Sequence, residues 1–109
     1  MKPRKQYHVY VIELDPAVLG TRRVKEENPE HIDGMQCLYV GQTAKSPEER
    51  FEQHKEGYKA NRYARKYGRR LRPDLYERYN PISTRASAEA MEERLAAKLR
   101  TRGYAVWFN

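Results

Sequence analysis

The sequence predicts a compact domain of the α/β (α+β) class, in which a small sheet is flanked by helices. Two runs rich in β-branched and aromatic residues, "YHVYVIEL" at 7–14 and "MQCLYVG" at 35–41, have the composition of strands. Later segments carry helix-start signals and helical periodicity. The two strands pair most simply as antiparallel neighbours. Because 109 residues suffice for one hydrophobic core, we expect a single domain over 1–109.

The composition indicates a thin core and a polyanionic partner. Leu, Ile, Val and Phe make up only 18 of the 109 residues, and nine tyrosines and one tryptophan add large rings that can be partly buried. Lys and Arg number 22 against 15 acidic residues, which gives a net charge of +7. A basic surface gains free energy by releasing the counterions of a polyanion. Charge alone does not separate nucleic acid from an acidic protein.

The N-terminal residues and the single cysteine exclude several classes of protein. The apolar run in "MKPRKQYHVYVIEL" is short and is interrupted by Glu13, which argues against a signal peptide or a membrane span. We therefore expect a cytoplasmic protein. With Cys37 as the only cysteine, neither an intrachain disulfide nor a cysteine zinc cluster can form, and we expect its side chain to be buried.

The first strand is predicted to end at the turn Asp15-Pro16. The following segment, about 15–35, is polar and holds two prolines and two glycines, so it reads as a long exposed excursion. The second strand is predicted to end at Gly41.

A helix is predicted from Pro47 to Gly57. Ser46 is the candidate N-cap, Pro47 stands at the first helical position, and Glu49 at the third completes a capping box. A glycine at the end of the segment is a typical helix stop.

The next segment, 59–72, is strongly basic and holds seven Lys or Arg residues. Tyr63 and Tyr67 stand one helical turn apart, and Gly68 follows, which predicts a short basic helix that ends there. We expect this segment to follow a nucleic-acid backbone, with the tyrosines against sugars or an exposed base. A solvated helix is the alternative. The expected binding residues are Lys59, Arg62, Tyr63, Arg65, Lys66, Tyr67, Arg69, Arg70 and Arg72.

The last third of the chain predicts a strand, a long helix and an extended end. A third strand is expected around 75–79, before Pro81. The segment 84–103 is alanine-rich and shows one apolar stripe with helical spacing, and Gly103 closes it. The final residues, "YAVWFN", are expected to form a terminal strand or an extended tail against the core.

Residues in these elements resemble the GIY-YIG nuclease superfamily. The likeness rests on "HVY" at 8–10, "YVG" at 39–41, Arg50 and His54 one helical turn apart, and a glutamate on the late helix. It covers most of the chain. The resemblance implies a compact domain with a three-stranded antiparallel sheet flanked by helices. It also implies cleavage of nucleic-acid phosphodiesters with one divalent metal ion, Mg²⁺ or Mn²⁺.

The resemblance implies a role for each matching residue. Tyr10 corresponds to the tyrosine of the first tripeptide, the favoured general base for the attacking water. Tyr39 corresponds to the first residue of the second tripeptide and is a second phenol in the site. Arg50, eleven residues later, would grip the scissile phosphate. His54 stands where the family uses histidine or tyrosine.

The late glutamate is the implied metal ligand, and three glutamates compete for that position. Glu92 follows Ala88 by four residues and precedes Leu95 by three, which matches the family helix. It also flanks the apolar stripe and so faces the edge of the sheet. Glu93 and Glu89 remain the alternatives.

The sequence also departs from the family pattern. His8 stands where the first tripeptide usually has glycine, and it could crowd or supplement the site. Gln42 occupies a position where some members have lysine. Asn109 could stand in for an asparagine that some members carry after the catalytic helix.

Together these features predict a metal-dependent endonuclease that acts on nucleic acid, with DNA as the expected substrate. The alternative is a noncatalytic nucleic-acid-binding module with the same fold, and a third reading is a protein-interaction subunit. Nothing in the sequence resembles a base-reading helix-turn-helix or zinc finger. Specificity is therefore expected to come from DNA structure or from a partner.

Overall fold

The computed structural model describes residues 5–108 and is built on a four-stranded sheet. Asn109 lies outside the described residues. The strands are β1 (His8–Leu14), β2 (Cys37–Thr43), β3 (Gly68–Leu71) and β4 (Ala105–Phe108). The helices are α1 (Arg22–Glu27), α2 (Pro47–Glu56), α3 (Arg62–Tyr67) and α4 (Arg85–Thr101). Short 3₁₀ turns occupy 16–20, 73–75 and 77–79. In the described part of the chain no helix is long and apolar enough to cross a bilayer.

The strand order is β3-β1-β2-β4, and the sheet is mixed. β1 pairs antiparallel with both β2 and β3, whereas β4 pairs parallel to β2. The parallel pair is possible because β3 and α4 lie between β2 and β4 in the chain and return it to the starting end of the sheet. The predicted fold class is confirmed, and the expected terminal strand makes the sheet four-stranded and mixed rather than three-stranded and antiparallel.

The two faces of the sheet are covered by different helices. One face carries Tyr10, Tyr39 and Trp107, which the strand registers place side by side. Helices α1, α2 and α3 cover this face, since residues of each contact these rings. The opposite face carries valines of β1, β2 and β4 and packs against the apolar stripe of α4. Cys37 is buried in this core, as expected.

The excursion at 15–35 is more ordered and less exposed than predicted. A 3₁₀ turn and α1 form within it, and they bury Val18 and Val24 in the core. Together with the partly buried Leu19, these two valines are the apolar contacts of the turn and α1 with the core, and most side chains around them are polar. This is why the composition of the segment indicated an exposed loop.

The third strand lies at Gly68–Leu71, and the prediction of a strand at 75–79 is wrong. Residues 73–79 form two 3₁₀ turns that bury Tyr76. β3 is held to β1 by charge as well as by backbone pairing, because Arg70 and Arg72 both form ion pairs with Glu13. β2 also continues two residues beyond the predicted end at Gly41.

Two asparagine side chains pair with backbone groups at the edges of β1 and β4. At β4, the Asn28 carboxamide accepts from the Val106 N–H at 2.7 Å and donates to the Val106 carbonyl at 3.0 Å. At the part of β1 beyond β3, the Asn80 carboxamide makes the same two bonds with Val9, at 2.9 and 2.8 Å. Each carboxamide therefore takes the place of one peptide group of a missing neighbouring strand.

Candidate active site

A cleft of about 340 Å³ lies between α2 and α4, where β2 extends past the end of β4. Within residues 5–108, β4 pairs with the first four residues of β2, and no strand pairs with the last residues of β2 on that side. Side chains from both faces of the sheet reach this edge. The cleft is lined by Tyr10, Tyr39, Gln42, Arg50, Glu89, Glu92, Glu93 and Phe108.

Tyr10 and Tyr39 come from neighbouring strands and meet at the floor of the cleft. Their ring centroids are 6.2 Å apart. Gly41 is the residue opposite Tyr10 on β2, and a Cβ atom built there would overlap the Tyr10 hydroxyl group. The glycine of "YVG" is therefore required by the close approach of the Tyr10 ring.

His54 lies behind Tyr10 and is fully buried, so it contacts the site without lining the cleft. Its Nε2 is 2.8 Å from the Tyr10 hydroxyl oxygen, and its Nδ1 accepts from the Asn61 backbone N–H at 3.3 Å. Burial, with a smaller contribution from Arg50, lowers the pKa of His54 to about 4. The ring is therefore neutral at pH 7 and carries its proton on Nε2, which donates to Tyr10.

The environment of Tyr10 contains opposing influences on its ionisation. Burial raises the pKa of the Tyr10 phenol far above its usual value, and Tyr39 adds to this effect. The positive charge of Arg50 opposes it by favouring the phenolate. The phenol is therefore protonated at neutral pH in the protein alone, and additional positive charge in the cleft would favour its phenolate.

Arg50 projects from α2 and is held by the loop that follows this helix. Its guanidinium donates to the Gln53 side chain at 3.2 Å and to the Tyr58 and Lys59 carbonyls at 3.2 and 2.8 Å. These bonds use three of its five N–H groups. The Ser46 cap fixes the start of α2 by accepting from the Glu49 N–H at 3.1 Å. Arg50 is thus a fixed cation at the cleft wall.

Three glutamates of α4 form the wall opposite Arg50. Glu89 is ion-paired with Arg85, whereas Glu92 has no cationic partner within residues 5–108. Burial, with contributions from Glu89 and Glu93, raises the pKa of Glu92 to about 7. Crowded carboxylates without a cation are a donor set that suits a hard divalent ion.

The protein supplies few ligands for such an ion. Across the described residues, no group of three or more His, Cys, Asp or Glu side chains is placed to hold a metal. Glu92 fits the role of a single carboxylate ligand, and Glu89 and Glu93 line the same cleft. An ion bound here would complete its coordination with water and substrate oxygens.

Three of the nine residues predicted to bind nucleic acid form ion pairs within the fold. Arg69 is ion-paired with Asp15, Arg70 with Glu13, and Arg72 with Glu13 and Asp74. Each of these three guanidinium groups is therefore already paired with a carboxylate.

The tyrosines of the basic helix are also largely covered. Tyr63 is 6% exposed and packs edge-on against Trp107, with ring centroids 5.0 Å apart, so little of its ring is open to a sugar or a base. Tyr67 is half-buried against the core.

Two aromatic residues near the cleft were not predicted as site residues. Phe108 lines it, and the Arg100 guanidinium lies 5.3 Å from the centre of its ring. Tyr58 is 55% exposed and follows Gly57, the glycine that ends α2. The aromatic run in the terminal strand was a usable signal for Phe108. His8 is half-buried, and its Nδ1 has no hydrogen-bond partner among residues 5–108.

A model of the family described as the GIY-YIG catalytic domain matches residues 30–105. This range includes Tyr39, Arg50, His54 and Glu92 but begins after β1. The assignment of Tyr10 therefore rests on its place in the sheet beside Tyr39. No curated protein and no solved structure gives a match to the chain.

Proposed function

The chain belongs to the GIY-YIG nuclease family, and we propose that it is a metal-dependent endonuclease that hydrolyses phosphodiester bonds of DNA. The observation that carries the proposal is the composition of one cleft. Two phenols and a fixed arginine line one side of it, and three carboxylates line the other. Phosphodiester hydrolysis needs an activated water and neutralised charge on the phosphate, and these groups can serve both needs.

Arg50 is the residue we assign to the scissile phosphate. Its guanidinium is held by two backbone carbonyls, so little side-chain freedom is lost when a phosphate binds. The N–H groups that these bonds leave can donate to nonbridging oxygens in the fork geometry that suits phosphate.

Tyr10 is the residue we assign to the attacking water. Its hydroxyl oxygen accepts from His54, and a hydrogen bond of this kind favours the phenolate. Because burial opposes ionisation, Tyr10 needs Arg50 and further positive charge in the cleft before it can accept a proton. His54 is a positioning residue, since it is buried behind the phenol. Tyr39 packs beside Tyr10 and lines the cleft.

Glu92 is the residue we assign to the metal. A divalent ion bound there would neutralise charge on the phosphate and make a water more acidic. Because its pKa is raised to about 7, Glu92 must lose a proton to bind the ion at neutral pH or below. We therefore propose that Mg²⁺ or Mn²⁺ binds weakly to the protein alone and more tightly when DNA contributes phosphate oxygens.

The test compares cleavage and binding in Glu92→Gln and in a control. Purified protein with Mg²⁺ or Mn²⁺ should nick supercoiled plasmid or cut branched DNA, and single-stranded RNA should be tried in parallel. Glu92→Gln should abolish cleavage and leave DNA binding within about twofold, because the substitution removes a ligand but not a phosphate contact. Glu52→Gln, which removes an exposed glutamate outside the cleft, should behave as wild type.

The outcomes separate three functions. If Glu92→Gln still cleaves DNA, Glu92 is not the metal ligand. The cleavage activities of Glu89→Gln and Glu93→Gln would then be compared. If the wild type binds nucleic acid but cuts neither DNA nor RNA with either ion, it is a noncatalytic binding module. If the wild type neither binds nor cuts nucleic acid, the remaining function is that of a protein-interaction subunit.

A further inference from the structure

A second concave surface lies between α1 and α3, and we call it the basic groove. It has a volume of about 310 Å³. It is lined by Thr21, Arg22, Arg23, Arg62, Tyr63, Lys66 and Tyr67. Four of these residues are cations and none is acidic. Three of the seven lining residues come from the 15–35 excursion, which contributes no residue to the cleft.

Most cations of the basic groove have no acidic partner. Arg23, Arg62 and Lys66 form no ion pair within residues 5–108. Each lies over an aromatic ring instead, at 5.7 Å from Trp107, 5.8 Å from Tyr63 and 5.3 Å from Tyr67 respectively. Stacking on a ring orients a side chain without neutralising its charge. These cations therefore remain available to an anionic ligand, unlike the ion-paired arginines of β3.

The basic groove lies close to the cleft, on the face of the sheet that carries Tyr39 and Trp107. Tyr39 lines the cleft and is paired in register with Trp107 on β4, one strand spacing of about 4.8 Å away. The Trp107 ring contacts the Tyr63 ring of the groove at 5.0 Å. Trp107 therefore links the two surfaces, because it neighbours Tyr39 of the cleft and contacts Tyr63 of the groove.

We propose that the basic groove binds the phosphate backbone of the nucleic acid on one side of the bond held in the cleft. This inference rests on the proposed function, since it takes the ligand of the groove to be the same molecule. The groove offers guanidinium and ammonium groups, and its tyrosine rings are mostly covered by neighbouring side chains. It is therefore suited to phosphates rather than to base edges, and it adds affinity and orientation without sequence preference.

The experiment removes two charges from the basic groove and two from β3. Arg23→Gln/Arg62→Gln is compared with Arg69→Gln/Arg70→Gln, which has the same net charge. Binding of a labelled 20-base-pair duplex is followed by fluorescence anisotropy in EDTA at several salt concentrations. For the groove variant, the slope of log K against log salt should fall in magnitude by about 2, and affinity near 0.1 M salt should fall about tenfold.

Further measurements show whether a weaker salt dependence comes from the lost phosphate contacts of the groove. The β3 variant should retain the wild-type slope, since Arg69 and Arg70 are held by Asp15 and Glu13. Arg23→Lys/Arg62→Lys should restore most of the slope, because lysine also neutralises phosphate. Thermal unfolding of every variant checks that the fold is intact. At saturating DNA the groove variant should keep the wild-type kcat, and its KM should rise.

Two outcomes would overturn the inference. One is a groove variant whose salt slope equals that of the β3 variant. The other is competition by a polyglutamate peptide as strong as that by an oligonucleotide of equal charge, which would assign the groove to an acidic protein. The proposed function is judged separately: if the wild type cuts DNA but the groove variant binds normally, only the groove assignment fails. If the salt slope of the groove variant falls but the wild type cuts no nucleic acid, only the proposed nuclease activity fails.

Discussion

The position and the protonated nitrogen of the His54 ring depend on groups that are distant in the sequence. Its Nε2 bonds to Tyr10 and its Nδ1 bonds to the backbone of Asn61, so three segments of the chain determine which nitrogen carries the proton. Asn61 is held in place because its own side chain caps α3, by accepting from the Tyr63 and Ala64 N–H groups. The position of the Tyr10 phenol is therefore tied to the start of a helix that does not line the cleft.

Gly41 offers a direct test of how closely Tyr10 must be placed. We expect Gly41→Ala to lower the rate of DNA cleavage by at least about 100-fold, because the new methyl group overlaps the Tyr10 hydroxyl and moves the ring. Overpacking should also lower the free energy of unfolding by about 1 to 3 kcal/mol. Plasmid nicking rates and urea unfolding measure the two effects.

Gly20→Ala is the matched control for this substitution. Nothing lies within 4 Å of a Cβ atom at Gly20, so activity and stability should stay close to wild type. A Gly41→Ala protein with normal cleavage would show that the position of Tyr10 does not limit the reaction.

At the scale of single residues, the sequence predicted which side chains could meet in one site. It did not predict which arginines would be paired with carboxylates elsewhere in the chain. Tyr39, Arg50 and Glu92 carry a recognisable spacing, and the structure brings them to one cleft. The basic segment 59–72 looked uniform because ion pairs depend on partners elsewhere. Glu13 and Asp15 neutralise the arginines of β3 from another strand and its turn, and no local pattern shows this.

Among the elements, α1 is attached to the sheet chiefly through Asn28. Besides its two bonds to Val106, the Asn28 side chain donates to the Val24 carbonyl at 2.8 Å and accepts from Arg100 at 3.2 Å. One carboxamide thus joins α1, β4 and α4. Because α1 has only six residues, its own hydrogen bonds contribute little without this attachment.

We expect Asn28→Ala to lower the free energy of unfolding by about 2 to 3 kcal/mol. The substitution leaves the Val106 N–H and carbonyl without their partners at a buried position. Urea denaturation followed by circular dichroism measures the change. DNA binding should weaken as well, because α1 supplies Arg22 and Arg23 of the basic groove.

Asp33→Ala provides the control, since Asp33 is an exposed residue of the same excursion. Its free energy of unfolding should stay within about 0.5 kcal/mol of wild type. Equal stability of Asn28→Ala and Asp33→Ala would mean that α1 is held by Val18 and Val24 alone.

The elements differ in how far the sequence determines them. Helix α2 was predicted at its observed start because its capping box and proline are local signals. Strand β3 was missed because "GRRL" has no apolar alternation, and it forms only where Glu13 of β1 offers a partner. The parallel pairing of β4 likewise depends on where α4 returns the chain, which is a property of the tertiary fold.

For the molecule as a whole, two groups of the site, the buried His54 and the partly buried Glu92, have opposite effects on stability as pH changes. His54 has a folded pKa of about 4, below its ordinary 6.5, so its contribution is complete above pH 6.5 and is lost as pH falls through 4. Glu92 has a folded pKa of about 7, above its ordinary 4.5, so its contribution is complete below pH 4.5 and is lost as pH rises through 7. Between pH 4.5 and 6.5 the two effects oppose each other.

We expect single variants to separate these two effects. In EDTA, Glu92→Gln should become more stable relative to wild type as pH rises from 4.5 to 6.5, and His54→Gln should become less stable. The slope of the free energy of unfolding against pH should differ between each variant and wild type. The difference should approach, but not exceed, about 1.4 kcal/mol per pH unit, the limit for one proton. Urea denaturation at five pH values measures the slopes.

The comparison uses slopes because His54→Gln also removes packing and lowers stability at every pH. Glu52→Gln is the control for the loss of an exposed carboxylate. Parallel profiles for wild type and His54→Gln would mean that His54 binds protons equally in the folded and unfolded chains.

The two asparagines at the sheet edges have a consequence for the chemical lifetime of the protein. Asparagine side chains deamidate when the nitrogen of the next residue attacks the carboxamide and closes a succinimide ring. Asn28 and Asn80 are each followed by proline, whose nitrogen carries no hydrogen. The two carboxamides are therefore protected from deamidation by this route. Their hydrogen bonds to Val106 and Val9 should persist as the protein ages.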